Sequence, residues 1–276
     1  MRKLYSMAMV ATLTMAFVFT SCQNEESFED PKVPAHIMSA LEQAGFDAGT
    51  AFVFEEGYLV EGDIYLTEET LGQLGPQTTI DDIHEEQYST NNLVTSTPRT
   101  ITCYMPTGRK GFSSGMQAGL DEAISRFNSE NLNLTFVRSS NKRSDIVFKR
   151  LSRRDERRGV LGSAGFPTSS GDPYGQILMS GILESTYGLS TAGIATIIAH
   201  EMGHCIGFRH TDYFDRSISC GGSPANEGSA GVGANHIPGT PTGADLAGNG
   251  SWMLACTDGS SRPFTQNDKT ALDYLY

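Results

Sequence analysis

The sequence predicts an α+β fold in which a small acidic segment precedes a larger block. Hydrophobic periodicity supports this, because short strand-like runs alternate with stretches whose apolar residues recur every three or four positions. Charge supports the division, since residues 22–98 carry 16 acidic residues and one Lys, whereas residues 99–276 carry 17 basic and 16 acidic residues. A chain of 276 residues can bury a sizeable core. Its formal charge of -12 argues against a nucleic-acid partner.

Residues 1–21 have the pattern of a signal peptide. A basic start precedes an apolar stretch, 4–19, that is too short and too weakly flanked for a permanent membrane span. The stretch ends in Phe-Thr-Ser before Cys22, which resembles the lipobox of bacterial lipoproteins, where the cysteine is lipidated. We therefore predict a lipid anchor at Cys22, on a bacterial outer membrane or cell surface. Ordinary secretion with Cys22 as a free thiol, release after processing, and the choice of leaflet stay open.

The rest of the chain is predicted to have three parts. Residues 22–34 are polar and interrupted by proline, which is typical of a flexible tether. Residues 35–98 form a predicted acidic prosegment, which ends in an exposed Thr-Pro-Arg junction. Residues 99–276 form the second block, which we predict to be one domain.

Periodicity places the elements of both parts. The prosegment is predicted to contain a helix over 35–47 and two strands within 51–66. The second block begins with a predicted strand, 100–105, and an amphipathic helix, 114–130. Further short strands are predicted at 134–137, 145–148 and 176–180.

Two features of the second block have alternative interpretations. Eight basic residues lie between 142 and 158 and form either a solvated face or a dock for the acidic prosegment. The strand at 176–180 is either an ordinary sheet edge or an edge that pairs with the backbone of a bound peptide.

The cysteines of the second block are Cys103, Cys205, Cys220 and Cys256. Export permits disulfides, and four cysteines allow three full pairings that sequence does not separate. No Cys-x-x-Cys pair is present, which argues against a cysteine zinc knuckle.

A helix that begins after Ser190 carries the most informative motif of the chain. His200 and His204 are four residues apart, so their imidazoles project from one face and can bind one metal ion. Glu201 lies beside them, where a carboxylate can act as a general base and later return the proton to a leaving amine. Gly207 allows a sharp turn that returns His210 as a third ligand, which leaves one position for water. The spacing predicts one catalytic zinc.

The string His-Glu-x-x-His-x-x-Gly-x-x-His, from 200 to 210, resembles the metzincin signature. This resemblance implies a zinc protease domain with a twisted mixed sheet, an active-site helix, a Met-turn and a C-terminal helix. Met253 would form the Met-turn, a hydrophobic floor under the three imidazoles that does not bind zinc. Thr265 and Asp268 have the spacing of a capping box at the start of the C-terminal helix.

Within the metzincins, the motif together with His236-Ile237-Pro238-Gly239-Thr240-Pro241 and Met253 is similar to the dual-action HEIGH metallopeptidases, over roughly residues 93–276. Met202 stands where the family's name has Ile. The resemblance implies a zinc metalloendopeptidase that acts on protein or peptide substrates; we expect a monomer. His236 is a ligand by residue type, but a wall or surface role is favoured because three histidines already hold the zinc.

The prosegment contains a residue that could keep such an enzyme inactive. Residues 60–63, Val-Glu-Gly-Asp, resemble the Phe-x-Gly-Asp prosegment motif of astacins, in which the aspartate occupies the water position on zinc. Asp63 on a glycine turn could block an open metal site, or it could simply belong to a hairpin turn. A zymogen would then need a cut between about 88 and 100, with Arg99 as a target.

The sequence thus predicts a lipid-anchored zinc endopeptidase that is made as a zymogen. The alternative is a surface lipoprotein that binds a partner without proteolysis and uses its zinc structurally. Calcium binding and the preferred cleavage sequence stay open.

Overall fold

The computed structural model describes residues 31–74 and 87–276, except 110, 230, 242, 245, 247 and 249. The predicted signal peptide, the predicted lipid anchor at Cys22 and the start of the tether lie outside the described residues. Residues 31–276 form one compact unit. No helix within the described ranges is long and apolar enough to cross a membrane.

Helices and strands alternate along the described chain. The helices are α1 (Ala35–Ala44), α2 (Glu68–Gln73), α3 (Ser114–Asn128), α4 (Arg153–Arg157), α5 (Thr191–Ile206), α6 (Ser217–Cys220) and α7 (Gln266–Leu275). The strands are β1 (Phe52–Phe54), β2 (Gly57–Val60), β3 (Ile64–Leu66), β4 (Tyr88–Ser89), β5 (Arg99–Tyr104), β6 (Leu134–Arg138), β7 (Ile146–Arg150), β8 (Gly162–Ala164), β9 (Gln176–Met179) and β10 (Asn235–His236).

Eight strands form one mixed sheet in the order β1-β2-β3-β8-β9-β7-β5-β6. The first three come from the predicted prosegment, and β3 joins the sheet by pairing in parallel with β8, with Ile64 opposite Ala164. The α+β class is confirmed. The two blocks do not form separate layers, because the prosegment hairpin extends the sheet of the second block.

The sheet order corrects one prediction about its edge. Strand β9, which was predicted as 176–180, lies between β8 and β7 and is an interior strand. Without the prosegment strands, the edge would be β8, a strand that the hydrophobic pattern did not predict. Strand β8 has only three residues, Gly-Ser-Ala, so it has little hydrophobic pattern to reveal it.

Helices α3 and α5 pack against each other and build the main core. The predicted apolar face of α3 is confirmed, since Met116, Leu120 and Phe127 are buried. Phe127 contacts Phe136, Trp252 and Phe264, with ring centroids 4.8 to 5.3 Å apart. This aromatic cluster packs α3 against the segment around Trp252.

The prosegment has a small core of its own. Helix α1 buries Ile37, Leu41 and Ala44, which confirms the predicted helical spacing. The region 51–66 forms three strands rather than the predicted two, because the positive φ of Glu61 and Gly62 permits a second turn between β2 and β3.

The end of the prosegment is built into the second block. The Thr90 backbone N–H donates to the Gly207 carbonyl, and the Arg209 N–H donates to the Tyr88 carbonyl. Thr97 and Pro98 are exposed, as predicted, but Arg99 lies in β5 and forms an ion pair with Asp172 at 2.9 Å. Arg99 is therefore a poor target for a protease, since proteolysis needs an unpaired, extended chain.

The cysteines form one disulfide, Cys220–Cys256, and leave Cys103 and Cys205 as buried thiols. None of the three full pairings is therefore formed. Burial, together with the Asp145 carboxylate, raises the pKa of the Cys103 thiol to about 12. Burial also raises the pKa of Cys205 well above its ordinary value. Both thiols stay protonated and unreactive at neutral pH.

Iodoacetamide is expected to leave Cys103 and Cys205 unmodified in the native protein at pH 8, and to modify both after denaturation without reductant. The reason is that alkylation needs an exposed thiolate, which burial and the raised pKa values suppress. Peptide mapping by mass spectrometry measures both sites, with Cys220 and Cys256 as internal controls that react only after reduction. Native labelling of Cys103 would contradict the burial of β5, and native labelling of Cys205 would contradict the packing of α5.

Candidate metal centre

Helix α5 positions two of the three predicted metal ligands. The Ser190 side chain caps its start by accepting from the Gly193 N–H. Within the last two turns, His200 and His204 are both buried. At its end, Gly207 adopts a left-handed conformation with φ 106°, which disfavours any residue with a Cβ. The turn reverses the chain and brings His210 back to the same place.

Three imidazole nitrogens and one carboxylate oxygen converge at this place. The Nε2 atoms of His200, His204 and His210 lie 3.1 to 3.3 Å from one another. The Oδ2 atom of Asp63 lies 3.2 Å from Nε2 of His200 and 3.1 Å from Nε2 of His210. The structure therefore places Asp63 of the prosegment beside the three histidines. Together these four residues could hold one metal ion.

Whether these residues fit a metal ion depends on which nitrogen of each imidazole carries the proton, and the hydrogen bonds at Nδ1 indicate this. Nδ1 of His200 donates to the Trp252 carbonyl at 2.9 Å, and Nδ1 of His204 donates to the Phe208 carbonyl at 2.9 Å. Nδ1 of His210 faces the Glu227 carboxylate at 2.7 Å. With the protons on Nδ1, each Nε2 presents a lone pair to the centre.

Three lone pairs that face one another repel unless a cation lies between them. Two nitrogens in a tetrahedral site are about 3.4 Å apart when each is about 2.0–2.1 Å from zinc. The observed separations of 3.1 to 3.3 Å are close to that spacing. Burial and the neighbouring imidazoles also hold the pKa of His204 well below its ordinary value, which favours the neutral form that binds metal. The donor set therefore fits zinc.

Glu201 lies beside the cluster with its carboxylate free. The side chain is buried, and its Oε2 atom has no hydrogen-bond partner. It lines a cavity of about 350 Å³ together with His200 and Asp63. Burial and the nearby Asp63 carboxylate raise the pKa of Glu201 well above its ordinary value. A carboxylate without a partner is uncommon in a protein interior and marks a candidate acid or base.

Met253 lies against the same helix. It is buried, its carbonyl accepts from the Thr211 N–H, and a Cβ at Gly203 would lie 2.6 Å from its Sδ. The adjacent residues are held by Asp268, whose carboxylate accepts from Ser251 Oγ at 2.6 Å. The segment 251–253 therefore contacts the metal-binding cluster directly, because the Trp252 carbonyl accepts from Nδ1 of His200.

A family model for the dual-action HEIGH metallopeptidases matches residues 58–276, which is most of the chain. The chain belongs to this family. The match begins before residue 93, the start expected from the sequence motifs, so strands β2 and β3 and Asp63 lie within the family region. The protein is therefore a metallopeptidase.

Comparisons with individual proteins add little to this assignment. No protein among the curated proteins matches the chain. Among solved structures, a structure of myroilysin is similar, with 14% identity and a TM-score of 0.34. That similarity covers 45% of this chain and 54% of the other.

The metallopeptidase site contains two residues that the sequence motifs did not predict. Glu227 orients His210 from a loop and also lies 3.0 Å from Nε of Arg216. Arg209 is fully buried and lies 3.4 Å from Glu227 and 3.8 Å from Glu61 of the prosegment. Only the position of Arg209, directly before the third histidine, offered a sequence signal. Glu227 follows His210 by 17 residues without a recognisable motif.

His236 is half-buried in strand β10. Its Nε2 lies 3.1 Å from the Thr240 hydroxyl, and its ring lies 6.4 Å from that of Tyr88. It does not belong to the metal-binding group found among the described residues.

One residue of the basic run at 142–158 contacts the prosegment, since the guanidinium carbon of Arg158 lies 4.7 Å from the centroid of the Phe52 ring. In the 142–158 run, Arg150 pairs with Glu156, and Arg158 pairs with Asp155. The buried ionic contact with the prosegment instead runs through Arg209 to Glu61.

Glu227→Gln is expected to weaken zinc binding by about 10- to 100-fold, because the carboxylate fixes the tautomer and orientation of His210. Competition with a chromogenic chelator measures the affinity. Glu130→Gln is the matched control, since it removes a carboxylate that pairs with Lys269 outside the site. Equal affinities in the two variants would show that Glu227 does not orient the ligand.

Proposed function

We propose that this metallopeptidase is a zinc endopeptidase, in which His200, His204 and His210 hold the metal and Glu201 is the general base. The observation that supports this most directly is the unpartnered Glu201 carboxylate beside three converging imidazole nitrogens. When bound, zinc supplies Lewis-acid chemistry that polarises a peptide carbonyl and activates water.

The chain's own residues supply the proton transfer in this proposal. Glu201 takes the proton from the attacking water, and its raised pKa keeps that proton available for the leaving amine. The acceptors at Nδ1 hold the three imidazole rings in place, and the Nε2 atoms, which would hold the metal, would then not be available to take the proton. Met253 would support the site from below as the Met-turn, without binding the metal.

We further propose that the intact chain is a zymogen. Asp63 lies where a fourth metal ligand or a water would lie, within 3.2 Å of two of the histidine nitrogens. Its neighbour Ile64 pairs with Ala164 of β8, so the prosegment also covers the strand edge beside the site. An extended substrate could pair with that edge only after β3 leaves.

Activation in this proposal needs a cut between β3 and β4. A cut later than Thr90 would leave Tyr88 and Thr90 on the prosegment fragment, although both are hydrogen-bonded to residues 207–209 of the second block. The mature enzyme would therefore begin before Tyr88 rather than at 99, and the predicted prosegment boundary at 98 moves accordingly.

The anchoring of the enzyme is part of the proposal and rests on the sequence alone. A signal peptide over 1–21, a lipid on Cys22 and a tether over 22–34 would hold the enzyme at a bacterial outer membrane or cell surface. An endopeptidase there would act on extracellular protein or peptide substrates.

Glu201→Gln is expected to lower kcat/KM for an internally quenched peptide by about 10²- to 10⁴-fold, because the variant cannot accept the proton. Zinc stoichiometry, measured by elemental analysis, should be unchanged, since Glu201 is not a ligand in the proposal. Glu122→Gln, on the exposed side of α3, is the control. Retained cleavage would refute the assigned base. Zinc-loaded wild type that cleaves no peptide even after limited proteolysis between β3 and β4 would favour the non-proteolytic alternative.

Asp63→Ala is expected to raise the peptidase activity of the uncut chain by about tenfold or more, because the latent state loses the carboxylate that holds it closed. Activity and chain integrity are measured on the same sample, so that self-cleavage is not mistaken for opening. Glu56→Gln, on the exposed β1–β2 turn, is the matched control. An uncut Asp63→Ala chain that stays as inactive as wild type would refute the proposal that Asp63 keeps the uncut chain inactive.

A further inference from the structure

The cavity beside the metal centre has one wall that the proposed mechanism does not use. It is lined by Glu201 of α5 and by Trp252, Leu254 and Cys256 of the segment after it. Arg262 also lines it. Most of these walls are apolar, so a charged group here is poorly screened by water.

The position of Glu201 determines which part of a substrate enters this cavity. In the proposed function, on which this step rests, Glu201 hands its proton to the leaving amine. The residue that supplies this amine therefore lies next to Glu201. Because Glu201 lines the cavity, the side chain of that residue, the first one after the cleaved bond, enters it.

Arg262 brings a positive charge to this cavity, and among the described residues no buried carboxylate forms an ion pair with it, although the buried Asp212 carboxylate acts on it electrostatically. Its residue is 8% exposed, its Nε atom has no hydrogen-bond partner, and Nη1 donates to the Cys256 carbonyl at 2.8 Å. The acid paired with it, Asp258, lies 3.9 Å away with a side chain that is 70% exposed. The nearby Asp212 accepts from Ala255 N–H and from Ser219.

The other arginines of the cavity differ from Arg262 in their partners. Arg158 lies 3.4 Å from Asp155, whose side chain is buried, and Arg216 lies 3.0 Å from the buried Glu227. Both positive charges are therefore balanced inside the protein. Arg262 is also held in place, because the carbonyl it binds belongs to Cys256, which the disulfide joins to Cys220.

We infer that Arg262 makes the enzyme select peptides with an aspartate or glutamate directly after the cleaved bond. A carboxylate in the cavity would complete the hydrogen bonding of the guanidinium and balance its charge in apolar surroundings. A lysine or arginine at that position of the substrate would meet like charge and is disfavoured.

The test compares cleavage of a peptide library by the zinc-loaded chain, after limited proteolysis between β3 and β4 and without separating the fragments. Wild type should cleave before Asp at least about tenfold more efficiently than before Asn. Arg262→Gln should reduce this ratio to near one, and Arg262→Lys should retain part of it. Arg153→Gln, exposed on α4, is the control and should keep the wild-type ratio. Cleavage by wild type without acidic preference would overturn the inference.

A binding measurement separates this inference from the proposed function. Trp252 is the single tryptophan of the chain and lines the same cavity, so its fluorescence can report occupation. The tripeptide Asp-Ala-Gly should bind the same preparation at least about tenfold more tightly than Asn-Ala-Gly, and Arg262→Gln should abolish the difference. Acid-selective binding without any cleavage would refute the peptidase proposal but support the role of Arg262. Equal binding of the two tripeptides would refute that role.

Discussion

The rest of this structure depends on one constraint: three imidazole nitrogens lie within 3.3 Å of one another, with their lone pairs facing the same point. They are tolerable only around a cation, and each is aimed by an acceptor on the far side of its ring. The Phe208 carbonyl lies in the turn after α5, whereas the Trp252 carbonyl and the Glu227 carboxylate come from more distant parts of the chain. The turn after α5, the segment before α7 and the loop at 227 are therefore all tied to one point.

The acidic first part of the chain is a component of the fold rather than an appendage. Its hairpin continues the main sheet through β3 and β8, and its Glu61 is buried beside Arg209. Three different contacts thus meet within a few residues: a strand pairing, a buried ion pair and Asp63 at the metal centre. Removal of this part would expose the β8 edge, take Glu61 away from Arg209 and take Asp63 away from the histidines at the same time.

Local patterns in the sequence were enough to predict the long helices and the core of the site. Helices α3, α5 and α7 have clear periodicity and caps, and the three histidines are fixed relative to each other by one helix and one glycine turn. What could not be predicted depends on distant pairings. The place of β9 inside the sheet is set by β8, a strand of three small residues, and Glu227 reaches His210 through loop geometry that no spacing rule encodes.

The convergence of the four-residue metal group has a consequence for the stability of the protein. Asp63 and the three histidines come together only in the folded chain, and α5 is packed in the core. A site that does not exist in the unfolded chain adds its metal-binding free energy to the free energy of folding. One ion would therefore stabilise the prosegment hairpin, helix α5 and the turn at Gly207 together.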